Sequence, residues 1–138
     1  MLYSGLKLKI YKNTNRISPY IINRLKRLNF GKGLAMYTAL SDILENNRSG
    51  DYVDYRILII FKENNPLGWG LLLKRKNGKC YEIMIYVAKK HRRRGIGTKL
   101  LNKMIKINNN EYPYVYMHDD ISKGFYKNNG YKNNKNRC

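Results

Sequence analysis

Val87-Ala-Lys-Lys-His-Arg92-Arg-Arg-Gly95-Ile-Gly97-Thr98 joins two segments of opposite character. Before it, Cys80 to Val87 is an apolar, tyrosine-rich run; after it, Leu101, Met104, Ile105 and Asn108 recur at helical spacing. The predicted order is strand, basic glycine turn, helix. This arrangement makes an anion site. The first N–H groups of a helix have no intrahelical acceptor, the macrodipole is positive there, and glycine lets phosphate approach the backbone. Arg92, Arg93 and Arg94 add guanidinium groups whose charge suits phosphate.

Working outward, Tyr81 to Val87 is the third strand of a predicted meander. Tyr55 to Lys62 is the first, Glu63 to Pro66 a turn, and Gly68 to Lys76 the second. Asn77-Gly78 is a two-residue hairpin signal. Nearer the N-terminus, Leu6, Leu8 and Ile10 alternate with Lys7 and Lys9, the pattern of a half-exposed strand. Ser18-Pro19 starts a helix with Ile21, Ile22, Leu25 and Leu28 on its apolar face. Gly31 and Gly33 break it, Met36, Ala39, Leu40, Ile43 and Leu44 carry a second helix, and 46–51 is a polar loop.

Downstream, the helix over about 98–108 closes at Asn108-Asn109-Asn110, and Tyr114 to His118 reads as a strand. A strand–helix–strand unit of this length implies a parallel pair with a right-handed crossover. Asp119 and Asp120 cap a short last helix that holds Tyr126 and ends at Gly130. The order is β-α-α-β-β-β-α-β-α, an α/β (α+β) single domain over residues 1–138 with a loose polar tail at 132–138.

Arg92-Arg93-Arg94-Gly95-Ile96-Gly97 resembles the R/Q-x-x-G-x-G/A signature of the GNAT superfamily of acetyl-CoA-dependent N-acetyltransferases. Phe125-Tyr126-Lys127-Asn128-Asn129-Gly130-Tyr131 is similar to that family's Leu-Tyr-Glu-Lys-x-Gly-Phe element. Two motifs in the right order are more specific than either alone. The likeness covers roughly residues 55–131 well, and the N-terminal part by element order. It implies a mixed sheet whose fourth and fifth strands are parallel and splay around the cofactor. Acetyl-CoA would be a co-substrate, and the acetyl group would pass by direct attack in a ternary complex.

By this resemblance, Arg92, Arg93, Arg94, Gly95, Ile96, Gly97 and Thr98 hold the pyrophosphate, mostly through backbone N–H groups. Val87 stands where the family ends its fourth strand, whose exposed backbone pairs with pantetheine. Tyr126 occupies the position of the tyrosine that protonates the departing thiolate; a phenol with a reference pKa near 10 is protonated at neutral pH. The other reading of Tyr126 is packing, in a chain with 13 tyrosines. Asp119 stands where the family often has an asparagine touching pantetheine. An aspartate accepts but does not donate there, so helix capping is its simpler role.

Deprotonating the acceptor ammonium needs a base. Glu82 is the only acid on a predicted central strand, and some family members carry a glutamate there. A one-residue slip in register would turn its side chain to the opposite face. His118, at the end of the next strand, is the alternative. His91 lies in the basic run and reads as solvated, and Cys80 reads as a structural thiol rather than a nucleophile.

Composition bounds the remaining classes. A chain of 138 residues with 43% hydrophobic content can bury a core without staples. Its longest apolar run, Ile57 to Phe61, is far too short to span a bilayer. Residues 1–12 lack the apolar core of a signal peptide, and Cys138 at the last position forms no prenylation box. With one internal and one terminal cysteine, a disulfide framework is not expected, and the reading is a reducing, cytoplasmic compartment with no metal site.

The formal charge of +19 has two explanations. One is an anionic partner such as nucleic acid, an acidic protein or the phosphates of CoA. The other is coding bias toward Lys, Asn, Ile and Tyr. Two rivals to catalysis follow: a GNAT fold that only grips nucleic acid or an acidic protein, and an unrelated basic α/β module. Only seven residues follow Tyr131, where the family usually adds one or two strands that wall the acceptor site. The resemblance then implies an open groove, or one completed by a second subunit, and an acidic macromolecular acceptor in place of a small amine.

Overall fold

The computed structural model describes residues 5–12, 16–27, 40, 43–44, 52–115 and 120–131. Strand β1 is Leu6–Tyr11, helix α1 Pro19–Arg27, β2 Tyr52–Lys62, β3 Asn65–Arg75 and β4 Glu82–Val87. A 3₁₀ turn at Lys89–His91 leads to α2, Ile96–Ile107, and the last helix is α3, Asp120–Asn128. The strands form an antiparallel sheet in the order β1-β2-β3-β4.

Both faces of the sheet are covered, which explains why β2 and β3 read as continuous apolar runs. Ile57, Ile59, Phe61, Trp69, Leu71 and Leu73 point to one face with Leu25 of α1. Leu58, Ile60, Leu72 and Ile83 point to the other, against Leu100, Leu101 and Met104 of α2 and Tyr126 of α3. Gly70 lets α2 come close: a Cβ there would stand 3.0 Å from Met104 Cε. Leu40, Ile43 and Leu44 are helical and buried on the α1 face, and the rest of the expected second helix lies outside the described residues.

Local signals account for most boundaries. Ser18 Oγ accepts from Ile21 N at 3.2 Å, and Pro19 opens α1 where its missing N–H costs nothing. At the end of α2, Asn109 and Asn110 adopt left-handed φ of 59° and 64°, a conformation asparagine tolerates. Gly130, at φ 100°, ends α3.

Two expectations need correction. Pro66 is not in the turn; it belongs to β3 opposite Phe61, beside a register shift between Ile60 and Phe61. A strand tolerates proline at such a bulge, where no ladder hydrogen bond is lost. Asn77-Gly78 does not form a two-residue hairpin. Gly78 N bonds Arg75 O at 2.9 Å, placing Asn77 and Gly78 third and fourth in the turn, and the chain pairs again only at Glu82. Of the expected strand from Tyr114 to His118, Tyr114 forms a parallel bridge with Glu82, the pairing sense the crossover implied. Residues 116–119, and with them His118 and Asp119, lie outside the described residues, as does the tail at 132–138.

Candidate functional site

The parallel bridge decides what β4 offers. Ile83 N bonds Tyr114 O at 2.9 Å and Tyr114 N bonds Tyr81 O at 2.8 Å. Ala88 N, by contrast, bonds Leu67 O on the β3 side. Odd-numbered residues of β4 therefore direct their backbone groups outward, and even-numbered ones toward β3. Beyond Ile83, among the described residues, nothing pairs with this outer edge. Ile85 presents an outward N–H and C=O, and Val87 an outward N–H. An extended amide chain laid along this edge would meet donors and acceptors at strand spacing.

Val87 O is the exception, because Arg92 Nε donates to it at 2.9 Å. The Arg92 guanidinium also stands 5.3 Å above the Tyr86 ring. This side chain ties the basic turn back onto the strand it follows. Arg93 at φ 63° and Gly95 at φ 82° are both left-handed, and Gly95 is the N-cap of α2. The first helical bond runs from Lys99 N to Gly95 O at 3.0 Å, so the N–H groups of Ile96, Gly97 and Thr98 have no acceptor within the helix. No acidic residue occupies the first turn, which leaves the positive end of the dipole for an anion. The helix begins two residues earlier than its periodicity indicated, inside the motif itself.

What fixes that helix end is burial. Ile96 is 2% exposed, and Leu100, Leu101 and Met104 are fully buried. Each such side chain contributes roughly 1.5–3 kcal/mol. Gly97 faces Phe125 of α3, and Val87 Cγ2 would lie 3.7 Å from a Cβ on it. The site thus gathers Val87, the Arg92–Thr98 turn and Phe125 of α3.

Tyr126 is 5% exposed, packed edge-on against Phe125 and Tyr131 with ring centroids 4.9 and 5.4 Å away. Burial pushes its phenol pKa well above the ordinary value, so the hydroxyl stays protonated at neutral pH. Tyr131 is raised in the same direction, by burial first and then by Tyr126 and Tyr112.

Glu82, the candidate base, stands at the start of β4 in an ion pair. Its Oε2 accepts from Arg75 Nε at 2.8 Å. It opens β4 on the α1 face, with Met84 and Tyr86, whereas Tyr126 lies on the opposite face. Five residue steps, about 16 Å of strand, separate it from Val87. Beside it, Tyr81 Oη donates to Asp54 Oδ2 at 2.6 Å, and Arg56 bonds Oδ1 of the same carboxylate. These hydrogen bonds hold Asp54 below the usual carboxylate range against the opposing effect of burial. Sequence reading missed this group, whose members are 27 residues apart.

His91 is half-buried, not solvated, and burial followed by Lys90, Arg94 and Lys62 lowers its pKa. Cys80 is disulfide-bonded, which corrects the expectation of a free structural thiol and removes one ground for a reducing compartment. No described helix is long and apolar enough to cross a membrane, and no cluster of three metal-binding side chains occurs among the described residues.

A family model for the acetyltransferase (GNAT) family matches residues 24–131. The chain belongs to that family. Solved structures agree on the fold. A GCN5-related N-acetyltransferase from Ralstonia eutropha superposes with a TM-score of 0.59 at 16% identity, over 97% of each chain. A predicted acetyltransferase from Clostridium acetobutylicum, solved with acetyl-CoA, gives 0.62 at 14% identity over 94% of this chain and 92% of that one. An aminoglycoside acetyltransferase from an uncultured soil metagenomic sample, solved with sisomicin, gives 0.58 at 16% identity over 91% and 88%. No curated protein sequence matches the chain. In GNAT terms, the Arg92–Gly97 signature falls at the strand–helix turn, and Phe125–Tyr131 covers the end of the helix packed against it and the turn that follows.

Proposed function

We propose that this GNAT acetyltransferase moves an acetyl group from acetyl-CoA to an amine. The observation that carries the reading is one junction. A strand edge at Ile85 and Val87, unpaired among the described residues, runs directly into a helix N-terminus whose first N–H groups are free of helical partners. A pyrophosphate fits the second element and an amide-bearing pantetheine arm the first.

The chemistry needs the amine as nucleophile, donors for the oxyanion and a proton for the leaving thiolate. The amine attacks the thioester carbonyl directly, a tetrahedral oxyanion forms, and its collapse breaks the C–S bond. The outward N–H groups of Ile85 or Val87 supply the oxyanion donors. Tyr126 protonates the CoA thiolate. Glu82 is engaged by Arg75, so we assign deprotonation of the ammonium to solvent.

Thiol release from acetyl-CoA, followed across small amines, aminoglycosides and lysine-bearing proteins, tests this reading. Initial-rate lines that intersect when both substrates are varied support a ternary complex. Parallel lines would demand an acyl-enzyme and contradict direct attack. Binding of acetyl-CoA with no acceptor-dependent thiol release would favour a GNAT fold that only binds.

A further inference from the structure

Helix α2 has a second working face. A groove of about 640 Å³ runs between it and β1, and at one end it reaches Gly95. Leu8 and Ile10 form the floor, and Lys99, Asn102, Lys103 and Lys106 form the wall. Those four wall residues follow helical i, i+3, i+4, i+7 spacing, so they make one stripe. Like charges at i, i+4 cost a helix a few tenths of a kcal/mol, and Lys99 in the first turn opposes the macrodipole. Among the described residues no carboxylate pairs with any of the three lysines. The stripe is locally unfavourable as it stands.

The floor adds a second feature. β1 ends the described sheet, so alternate residues direct N–H and C=O groups away from β2. Leu6 and Leu8 turn to the α2 face, while Lys9 lies over the Phe61 ring on the other. Ile10 is 39% exposed at the open end. An apolar edge strand beside three unpaired cations matches one kind of occupant.

We propose that this groove binds an acidic, extended peptide segment of a partner protein, added as a strand to β1. Its carboxylates would meet Lys99, Lys103 and Lys106, and intervening apolar side chains would cover Leu8 and Ile10. From Lys99 to Lys106 the helix rises about 10 Å, and two carboxylates four residues apart on one strand face stand about 13 Å apart, within reach of the lysine side chains at both ends of the stripe. A nucleic acid fits less well, because the lining has no aromatic side chain on which bases would stack. One end of the groove shares Gly95 and Thr98 with the turn proposed for the cofactor, but Lys103 and Lys106 lie more than a helical turn beyond it, so substitutions there separate peptide binding from acetyl-CoA binding.

The test uses the full chain and a fluorescent peptide with Glu and Leu taking turns at odd positions and Thr at even ones. Anisotropy should show binding that weakens with salt, and a Gln-for-Glu peptide should bind about tenfold more weakly or not at all. Lys103→Glu with Lys106→Glu should abolish binding while leaving the acetyl-CoA melting shift unchanged. Lys76→Glu with Lys79→Glu, equal in net charge but placed in the β3–β4 connection, should leave peptide binding intact. Equal loss in both double variants would reduce the effect to net charge and overturn the proposal. So would tighter binding of oligothymidylate than of the peptide, displacement of the peptide by self-association, or no binding.

Discussion

A Cβ placed on Gly97 would stand 3.0 Å from Cε1 and 3.1 Å from Cζ of Phe125, so the Arg92–Thr98 turn and the last helix meet with no room for a methyl group unless the ring shifts. Gly97→Ala therefore sets two effects against each other. Alanine favours a helix by about 0.5–1 kcal/mol over glycine. Overpacking the Phe125 ring costs roughly 1–3 kcal/mol. We expect a net loss of about 1 kcal/mol in urea unfolding, recovered when Phe125→Leu is added. A stabilised single variant would show that the ring moves freely.

Arg92 should matter through its bond to Val87 O. Arg92→Ala should raise the dissociation constant of acetyl-CoA about tenfold, in line with roughly 1.5 kcal/mol for a charge-assisted bond. Lysine lacks the fork that reaches the carbonyl while lying over Tyr86, so Arg92→Lys should recover little. Calorimetric titration of both variants checks this.

For Tyr126, the Phe variant should lose about 10²–10⁴-fold in kcat with little change in the KM for acetyl-CoA, the loss typical of a missing acid. The melting temperature should hold or rise, since only the hydroxyl of a buried ring is removed. A kcat within threefold of the parent would return Tyr126 to packing.

Stability should fall in alkali. Tyr126 and Tyr131 both have raised pKa values in the folded state. Below the unfolded value near 10 both states hold these protons, and above it only the folded chain does. Unfolding is then favoured progressively as pH climbs past about 10. Urea midpoints measured from pH 8 to 11 should drop above pH 10 in the parent, and drop less when both tyrosines are replaced by phenylalanine.

Glu82→Gln should leave kcat within about threefold and cost at most about 1 kcal/mol, the usual worth of a partly exposed ion pair. A pH–rate profile that loses its acidic limb in this variant would instead restore Glu82 as the base.

The motif residues were legible because their chemistry is local. Glycine at φ 82°, an N-terminal helix turn and a basic run leave a signature within a few positions, and so does the Ser18-Pro19 start. What escaped depends on contacts between distant residues. Nothing near Glu82 announces Arg75, and Tyr81 gives no sign of Asp54 across the sheet. Cys80 alone carries no geometry from which a disulfide can be read. The run from Tyr114 reads as a strand from its alternation, and its first residue does pair in parallel with Glu82, although nothing near Tyr114 in sequence names that partner. The lysine stripe was visible only as charge until the helix placed it over Leu8 and Ile10.

The central claim is that the turn before α2 holds acetyl-CoA, and thermal unfolding with and without the cofactor tests it most directly. At a hundred times its dissociation constant, acetyl-CoA should add about 2.7 kcal/mol, or several degrees for a domain of this size. The shift should vanish in Gly95→Glu, which puts a side chain and a negative charge at a left-handed N-cap. It should survive in Gly95→Asn, which tolerates that conformation. No shift in the parent, or an undiminished shift in Gly95→Glu, would contradict the account.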